Sequence, residues 1–110
     1  MARLIWSEPA LLDLEEIAEY TALDDPRAAS RYVRKVFSTL EHLKQFPDSG
    51  RRPPEVTDVP DLPESTYREV IVPPCRVFYR RENDAVLILH VMRSERLLRT
   101  FLLEQRTEGE

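Results

Sequence analysis

Apolar residues in the first half of the chain recur at the three- and four-residue steps of amphipathic helices. One stripe consists of Leu11, Leu14, Ile17, Ala18 and Thr21, and the other of Ala29, Tyr32, Val33, Val36, Phe37, Leu40, Leu43 and Phe46. Each stripe follows a helix start signal, which is Ser7 with Pro9 for the first and Asp25 with Pro26 for the second. Because only about four residues separate the helices, we expect an antiparallel helical hairpin.

Strand-like segments lie on both sides of this hairpin. Residues 2–6 form a short apolar run, and residues 66–72, 75–81 and 85–92 are rich in Val, Ile, Tyr and Phe. The last three are joined by short turns, which predicts an antiparallel meander. The run Val86-Leu87-Ile88-Leu89 is apolar on both faces, as is typical of a central strand.

The connector and the tail complete the predicted fold. Residues 47–50 should end the second helix, with Gly50 at positive φ, and a proline-rich connector without periodicity follows. An apolar stripe in the tail predicts a C-terminal helix within residues 94–110, formed by Leu97, Leu98, Phe101 and Leu102. We therefore expect one α+β domain over residues 1–110: an N-terminal strand, a helical hairpin packed on an antiparallel sheet (β-α-α-β-β-β), and a C-terminal helix.

Composition narrows the class of protein. The chain has 110 residues, 42% hydrophobic and 33% charged, which excludes a disordered chain and a membrane-spanning one. Its single cysteine, Cys75, cannot form an internal disulfide, and we expect a cytoplasmic protein. The net charge is −4, but residues 1–65 carry −5 whereas residues 66–106 carry +3. An anion-binding surface in the second half is therefore compatible with an acidic chain.

Familiar catalytic motifs are absent from the sequence. Two glycines cannot build a phosphate-binding loop, and one cysteine with two histidines makes a poor zinc set. Cys75 is best interpreted as a buried, inert thiol. Strict alternation places His90 on the same strand face as Val86, Ile88 and Met92, where a structural, hydrogen-bonded role competes with an acid–base role beside Arg93.

Arginines are the strongest chemical signal. All the basic residues of the strand region are arginines, and alternation places Arg76, Phe78 and Arg80 on one face of a strand. Such a face can hold phosphates or carboxylates. It can equally be a solvated face whose arginines pair with Glu69 and Glu82.

Six segments then follow one another in a characteristic order and spacing. They are residues 10–17 with Tyr20, residues 25–29, Leu40-x-x-Leu43-x-x-Phe46-Pro47-x-x-Gly50-Arg51, Tyr67-Arg68-Glu69, residues 76–80, and residues 86–90 with Val91-x-Arg93. Together they resemble the ParE/RelE toxin superfamily, and the ParE branch more closely than the RelE branch. The resemblance runs from about residue 4 to residue 93.

This resemblance implies the toxin of a bacterial type II toxin–antitoxin pair. ParE-like toxins inhibit DNA gyrase by binding and are neutralised by a ParD-like antitoxin, which also carries the operator DNA contacts. RelE-like relatives instead cut mRNA on the ribosome, a chemistry for which the acidic net charge is unfavourable. We expect neither enzymatic activity nor a cofactor, metal or membrane partner; a ribonuclease is the first alternative and a non-toxic binding module the second.

Candidate site residues follow from charge and resemblance. The proposed target contacts are Arg51, Arg52, Arg68, Arg76, Arg80 and Arg93. The ribonuclease alternative would use Arg68, His90 and Arg93. ParE-type sequences usually carry small residues between this histidine and the arginine, and residues 90–95 depart from that pattern at the small positions. The antitoxin candidates are Tyr20, Tyr32, Leu97 and Phe101.

Overall fold

A computed structural model describes residues 1–53 and 67–94 of the chain. Its elements are β1 (Arg3–Trp6), α1 (Glu8–Asp24), α2 (Pro26–Glu41) followed by a 3-10 turn (His42–Lys44), β2 (Arg68–Val72), β3 (Cys75–Glu82) and β4 (Ala85–Arg93). The predicted order β-α-α-β-β-β is confirmed. The predicted C-terminal helix and most of the proline-rich connector lie outside the described residues.

Both helices begin at the predicted caps. The Ser7 hydroxyl accepts a hydrogen bond from the Ala10 N–H and donates one to the carbonyl of Leu89, which ties α1 to β4. The Asp25 carboxylate accepts hydrogen bonds from the first turn of α2. Asp25 is also the C-cap of α1, donating its N–H to the Thr21 carbonyl, so one residue rather than four joins the helices.

The helix faces that meet the sheet differ slightly from the predicted stripes. On α1 the buried residues are Ala10 and Leu14, whereas Leu11 is 46% exposed, so its assignment to the core was wrong. The second stripe is confirmed for Ala29, Val36 and Leu40 of α2 and for Leu43 of the 3-10 turn, whereas Phe37 and Phe46 are 39% and 52% exposed. Steps of four and seven residues from Ala10 describe the buried face of α1 better than steps from Leu11.

The sheet has the strand order β1-β4-β3-β2, with β4 in the interior as predicted. Strands β2, β3 and β4 form the predicted antiparallel meander. Strand β1, however, pairs in parallel with β4, so the sheet is mixed and not antiparallel throughout. No local turn joins β1 to β4, and its direction depends on how the intervening hairpin returns the chain to the sheet.

An irregularity in β4 changes which residues face the helices. Phe78 pairs with His90 but the next residue of β3, Tyr79, pairs with Ile88, which leaves Leu89 as an extra residue in β4. Beyond such a bulge the alternation shifts by one position. Val91 therefore joins the buried core, and the predicted placement of His90 with Val86 and Ile88 was wrong.

None of the helices in the described ranges is long and apolar enough to cross a membrane. Cys75 is fully buried, in agreement with its interpretation as a packed thiol.

Candidate anion-binding site

The loop at residues 47–52 is anchored to the sheet by Tyr79. This residue is fully buried, and its hydroxyl accepts a hydrogen bond from the Gly50 N–H (2.9 Å) and donates one to the Pro47 carbonyl (2.8 Å). Burial raises the pKa of the Tyr79 phenol, which keeps it a neutral donor. The buried Tyr79 hydroxyl therefore fixes the loop to the sheet through two hydrogen bonds.

Gly50 is required by close approach and not by backbone conformation. The φ of Gly50 is not positive, so that expectation was wrong. A Cβ at this position would instead lie 2.5 Å from the Tyr79 Oη and 2.8 Å from the Glu69 carbonyl oxygen. Only glycine lets the loop pass this close to β2 and β3.

Asp48 in this loop collects two arginines. The Arg81 Nη1 lies 2.8 Å from the Asp48 Oδ2, and the Arg68 Nε lies 3.7 Å from its Oδ1. Arg68 also donates from Nη1 to the carbonyl of Gly50 at 2.8 Å. Arg68 thus braces the loop from the end of β2, and only 26% of its side chain is exposed.

Glu69 collects two more arginines on the opposite face of β2. Its side chain is 0% exposed, and its two oxygens each lie 2.7 Å from an arginine Nε, that of Arg51 and that of Arg76. Arg76 is buried as well, with its guanidinium 5.0 Å from the centre of the Phe78 ring. Arg76 is thus paired with Glu69 inside the fold, and its direct contact with a target stays a prediction.

We call Arg51, Arg68, Arg76 and Arg81 the arginine cluster. In the part of the chain that the structure describes, its four positive charges meet two carboxylates, those of Asp48 and Glu69. Arg51 is its most exposed member, at 62% of the side chain. Both interpretations of the arginine-rich region thus apply at once. Most of its guanidinium groups pair with acids, as the ion-pairing alternative predicted, while the guanidinium of Arg51 stays exposed and can meet an anion.

Arg52 and Arg80 are less well satisfied. Arg80 lies 3.4 Å from Glu82 at the surface, but its Nε, like that of Arg52, is buried and has no hydrogen-bond partner among the described residues. Both remain candidate contacts, since neither is spent on a buried carboxylate.

A second group of predicted site residues lies where β4 meets α1. The His90 Nδ1 is 3.3 Å from the Asp13 Oδ2, and the same oxygen accepts the Val91 N–H at 3.0 Å. The Arg93 guanidinium lies 5.0 Å from the centre of the Tyr20 ring. Sequence reasoning missed Asp13, because its position on the polar side of α1 gave no sign of a partner on a distant strand.

The structure does not bring together the three residues of the ribonuclease alternative. Arg68 pairs across the sheet with Tyr79, whereas Arg93 lies two strands away and pairs with Cys75. On ideal strand spacings the Cα atoms of Arg68 and Arg93 are roughly 17 Å apart. His90 is committed to Asp13 on the α1 side.

The antitoxin candidates differ in how exposed their side chains are. Tyr20 is 63% exposed on α1. Tyr32 is half-buried against the core, with its hydroxyl donating to the Val72 carbonyl at 2.6 Å, and burial raises its pKa. Leu97 and Phe101 lie outside the described residues. Within residues 1–53 and 67–94, no group of acidic, histidine and cysteine side chains has the arrangement of a metal site.

The chain is similar in sequence to two bacterial proteins that are named as toxins. "Toxin RelE2" of Caulobacter vibrioides is 31% identical over 98 residues, which cover 88% of this chain and 100% of that protein. "Putative toxin Y4kP" of Sinorhizobium fredii is 41% identical over 49 residues, 44% of this chain and 51% of that protein.

The solved "Chromosomal ParDE TA system from P. aeruginosa" has the same fold, with a TM-score of 0.66 and 24% identity over 84% of this chain and 96% of that one. The family model for the ParE toxin of the type II toxin–antitoxin system parDE matches residues 4–98. The chain therefore belongs to the ParE toxin family of type II toxin–antitoxin systems, within the ParE/RelE superfamily.

Proposed function

We propose that this toxin arrests bacterial growth by binding DNA gyrase in the cytoplasm, without chemistry of its own, and that a ParD-like antitoxin neutralises it. The observation that carries the proposal is the separation of Arg68, His90 and Arg93. Cutting RNA at a 2′-hydroxyl needs a base, a cation and an acid within hydrogen-bonding reach of one phosphate. The Cα atoms of Arg68 and Arg93 are roughly 17 Å apart on ideal strand spacings, and the His90 ring lies against Asp13, which favours binding over that chemistry.

Charge supports the same choice. Ribosome binding gains much of its free energy from counterion release by many basic residues, and this chain has a net charge of −4. Three arginines of its described strands, Arg68, Arg76 and Arg81, pair with Asp48 or Glu69. A protein target with a few acidic groups suits such a surface better than ribosomal RNA.

The antitoxin proposal draws on the outer side of α1. Leu12, Tyr20 and Leu23 are 56%, 63% and 86% exposed on this helix. Exposed apolar side chains along one helix are a suitable surface for an amphipathic segment of a partner. In this proposal operator DNA is bound only by the antitoxin's own DNA-binding half.

A supercoiling assay tests the target. Purified toxin is titrated into gyrase with relaxed plasmid and ATP, and we expect loss of supercoiling or trapped cleavage at toxin concentrations comparable to the enzyme. Relaxation by topoisomerase I on the same plasmid is the control, because non-specific DNA binding would slow both enzymes. Full gyrase activity at excess toxin would remove gyrase as the target.

A translation reaction tests the alternatives. Ribosome-dependent cuts in a reporter mRNA that disappear in Arg68→Ala and His90→Ala variants would establish the ribonuclease. Normal growth of bacteria that express the chain without its antitoxin would support the non-toxic binding module.

A further inference from the structure

Arg51 is anchored at one end and open at the other. Its Nε donates to the Glu69 Oε1 at 2.7 Å, and its backbone N–H and carbonyl bond to the backbone of the same residue at 3.0 and 2.7 Å. Its side chain is nevertheless 62% exposed. Within the described residues, the terminal Nη1 and Nη2 groups have no hydrogen-bond partner.

We propose that Arg51 binds a carboxylate of the target protein end-on, and that Glu69 is the positioning residue that presents it. The proposal rests on the proposed function. A guanidinium has a Nε–H and two Nη groups, and a carboxylate can accept two parallel hydrogen bonds from the Nη edge. Because Glu69 already holds the Nε, less side-chain freedom is lost when that edge is bound.

The other arginines of the cluster are not presented in this way. The Arg76 side chain is 6% exposed, and Arg68 is 26% exposed with Nη1 bound to the Gly50 carbonyl. Arg81 meets Asp48 through its Nη1, so its terminal edge is already in use. Arg51 therefore combines a buried anchor with an open terminal edge.

Arg3 is the natural comparison outside the cluster. Its side chain is 69% exposed, but its partner Asp84 is 72% exposed and 3.6 Å away, so nothing buried holds it in place. It has the charge and the exposure of Arg51 without the anchor.

The charge around Arg51 favours a discrete carboxylate over a nucleic-acid backbone. Among the described residues, Asp48 and Glu69 supply two negative charges against the cluster's four arginines, and the chain as a whole carries −4. A phosphate backbone is a continuous polyanion that is bound through many cations at once. A single bidentate pair is what one presented arginine can supply.

The test measures binding of full-length variants to immobilised gyrase subunits without DNA, and to a labelled DNA duplex without gyrase. We expect Arg51→Ala to weaken gyrase binding about 10- to 100-fold, as for charge-assisted hydrogen bonds. Arg51→Lys, which keeps the charge but loses the Nε anchor and the fork, should lose nearly as much. Arg3→Ala should bind like the wild type.

The positioning role of Glu69 is tested by comparing single and double variants of Arg51 and Glu69. Glu69→Gln should weaken binding, and the double variant Arg51→Ala, Glu69→Gln should bind no worse than Arg51→Ala alone. Circular dichroism shows which variants fold; if Glu69→Gln does not, the comparison of Arg51→Lys with Arg51→Ala decides the positioning argument.

Several results would overturn the inference. Wild-type binding by Arg51→Lys would leave charge alone as the cause, and additive losses in the double variant would remove the role of Glu69. A loss confined to the DNA duplex would point to phosphate. If wild-type toxin binds no gyrase, the proposed function fails separately, and growth arrest by Arg51→Ala as strong as by the wild type would then remove the site.

Discussion

Replacing Gly50 with alanine tests whether the loop at residues 47–52 is held by its close approach to Tyr79. The new Cβ would lie 2.5 Å from the Tyr79 Oη, 2.7 Å from its Cε1 and 2.8 Å from the Glu69 carbonyl oxygen. Two of these neighbours belong to a fully buried ring and the third to the backbone of β2, so none can move aside easily. The loop itself must shift.

The size of the effect follows from these distances. Ordinary contact begins at 3.4 Å, so the loop has to move by nearly one ångström. Overpacking of this kind costs about 1–3 kcal/mol, and weakening the Gly50–Tyr79 hydrogen bond adds about 1 kcal/mol. We expect a loss of about 2–4 kcal/mol in the free energy of unfolding, and a fall in Tm on the order of 10 °C.

Urea and thermal unfolding, followed by circular dichroism, measure this loss. The informative partner variant is Tyr79→Phe, which alone should cost about 1–3 kcal/mol because the Gly50 N–H and the Pro47 carbonyl lose their partner. In the double variant the nearest clashing atom is gone. The losses in unfolding free energy of the two single variants should therefore add up to about 1 kcal/mol more than the loss measured for the double variant.

Two results would refute this reasoning. A Gly50→Ala protein within about 0.5 kcal/mol of the wild type would mean that the loop is not packed against Tyr79. Strictly additive losses would mean that the hydroxyl is not the atom that excludes a side chain at residue 50.

Three further predictions follow from the same packing. Burial raises the pKa of Tyr32 and Tyr79, so the unfolded chain loses these phenol protons near pH 10 while the folded chain keeps them. Urea unfolding at a series of pH values should therefore show the free energy of unfolding falling above about pH 10. The fall should be smaller in Tyr32→Phe. Arg76→Ala leaves the carboxylate of Glu69 buried with one partner fewer and should cost about 3–5 kcal/mol in chemical denaturation, whereas a loss below 1 kcal/mol would contradict a buried pair. Ser7→Ala removes the N-cap of α1 and should lower the free energy of unfolding by about 1 kcal/mol, with no change expected in the fold by circular dichroism.

Local signals account for the parts of the fold that sequence reasoning predicted correctly. A cap such as Ser7 or Asp25 accepts a hydrogen bond from a backbone N–H two or three residues further on, so a few neighbouring residues are enough to predict it. The strands of the meander are joined by turns of a few residues, which restrict them to antiparallel pairing. The arginine-rich character of the second half is likewise a property of composition.

The errors concern relations between distant residues. The bulge at Leu89 displaces His90 from the face that alternation assigns to it, and Asp13 becomes its partner across the fold. Arg51 and Arg76 lie 18 and 7 residues from Glu69 in the sequence, yet both bind its carboxylate. Two arginines bound to the same carboxylate thus differ in their environment: Arg76 is buried, whereas Arg51 is exposed.

What the sequence by itself determined is the order of the helices and strands within residues 1–53 and 67–94, and the family, because caps, periodicity and turns act over a few residues. The tertiary structure decided the parallel pairing of β1 and the cause of the glycine at position 50. It also decided which arginines are spent on Asp48 and Glu69 and which one stays open. These outcomes depend on which side chains share a buried space, and the energy of a buried charge or a close contact is set by neighbours that the chain brings together only when it folds.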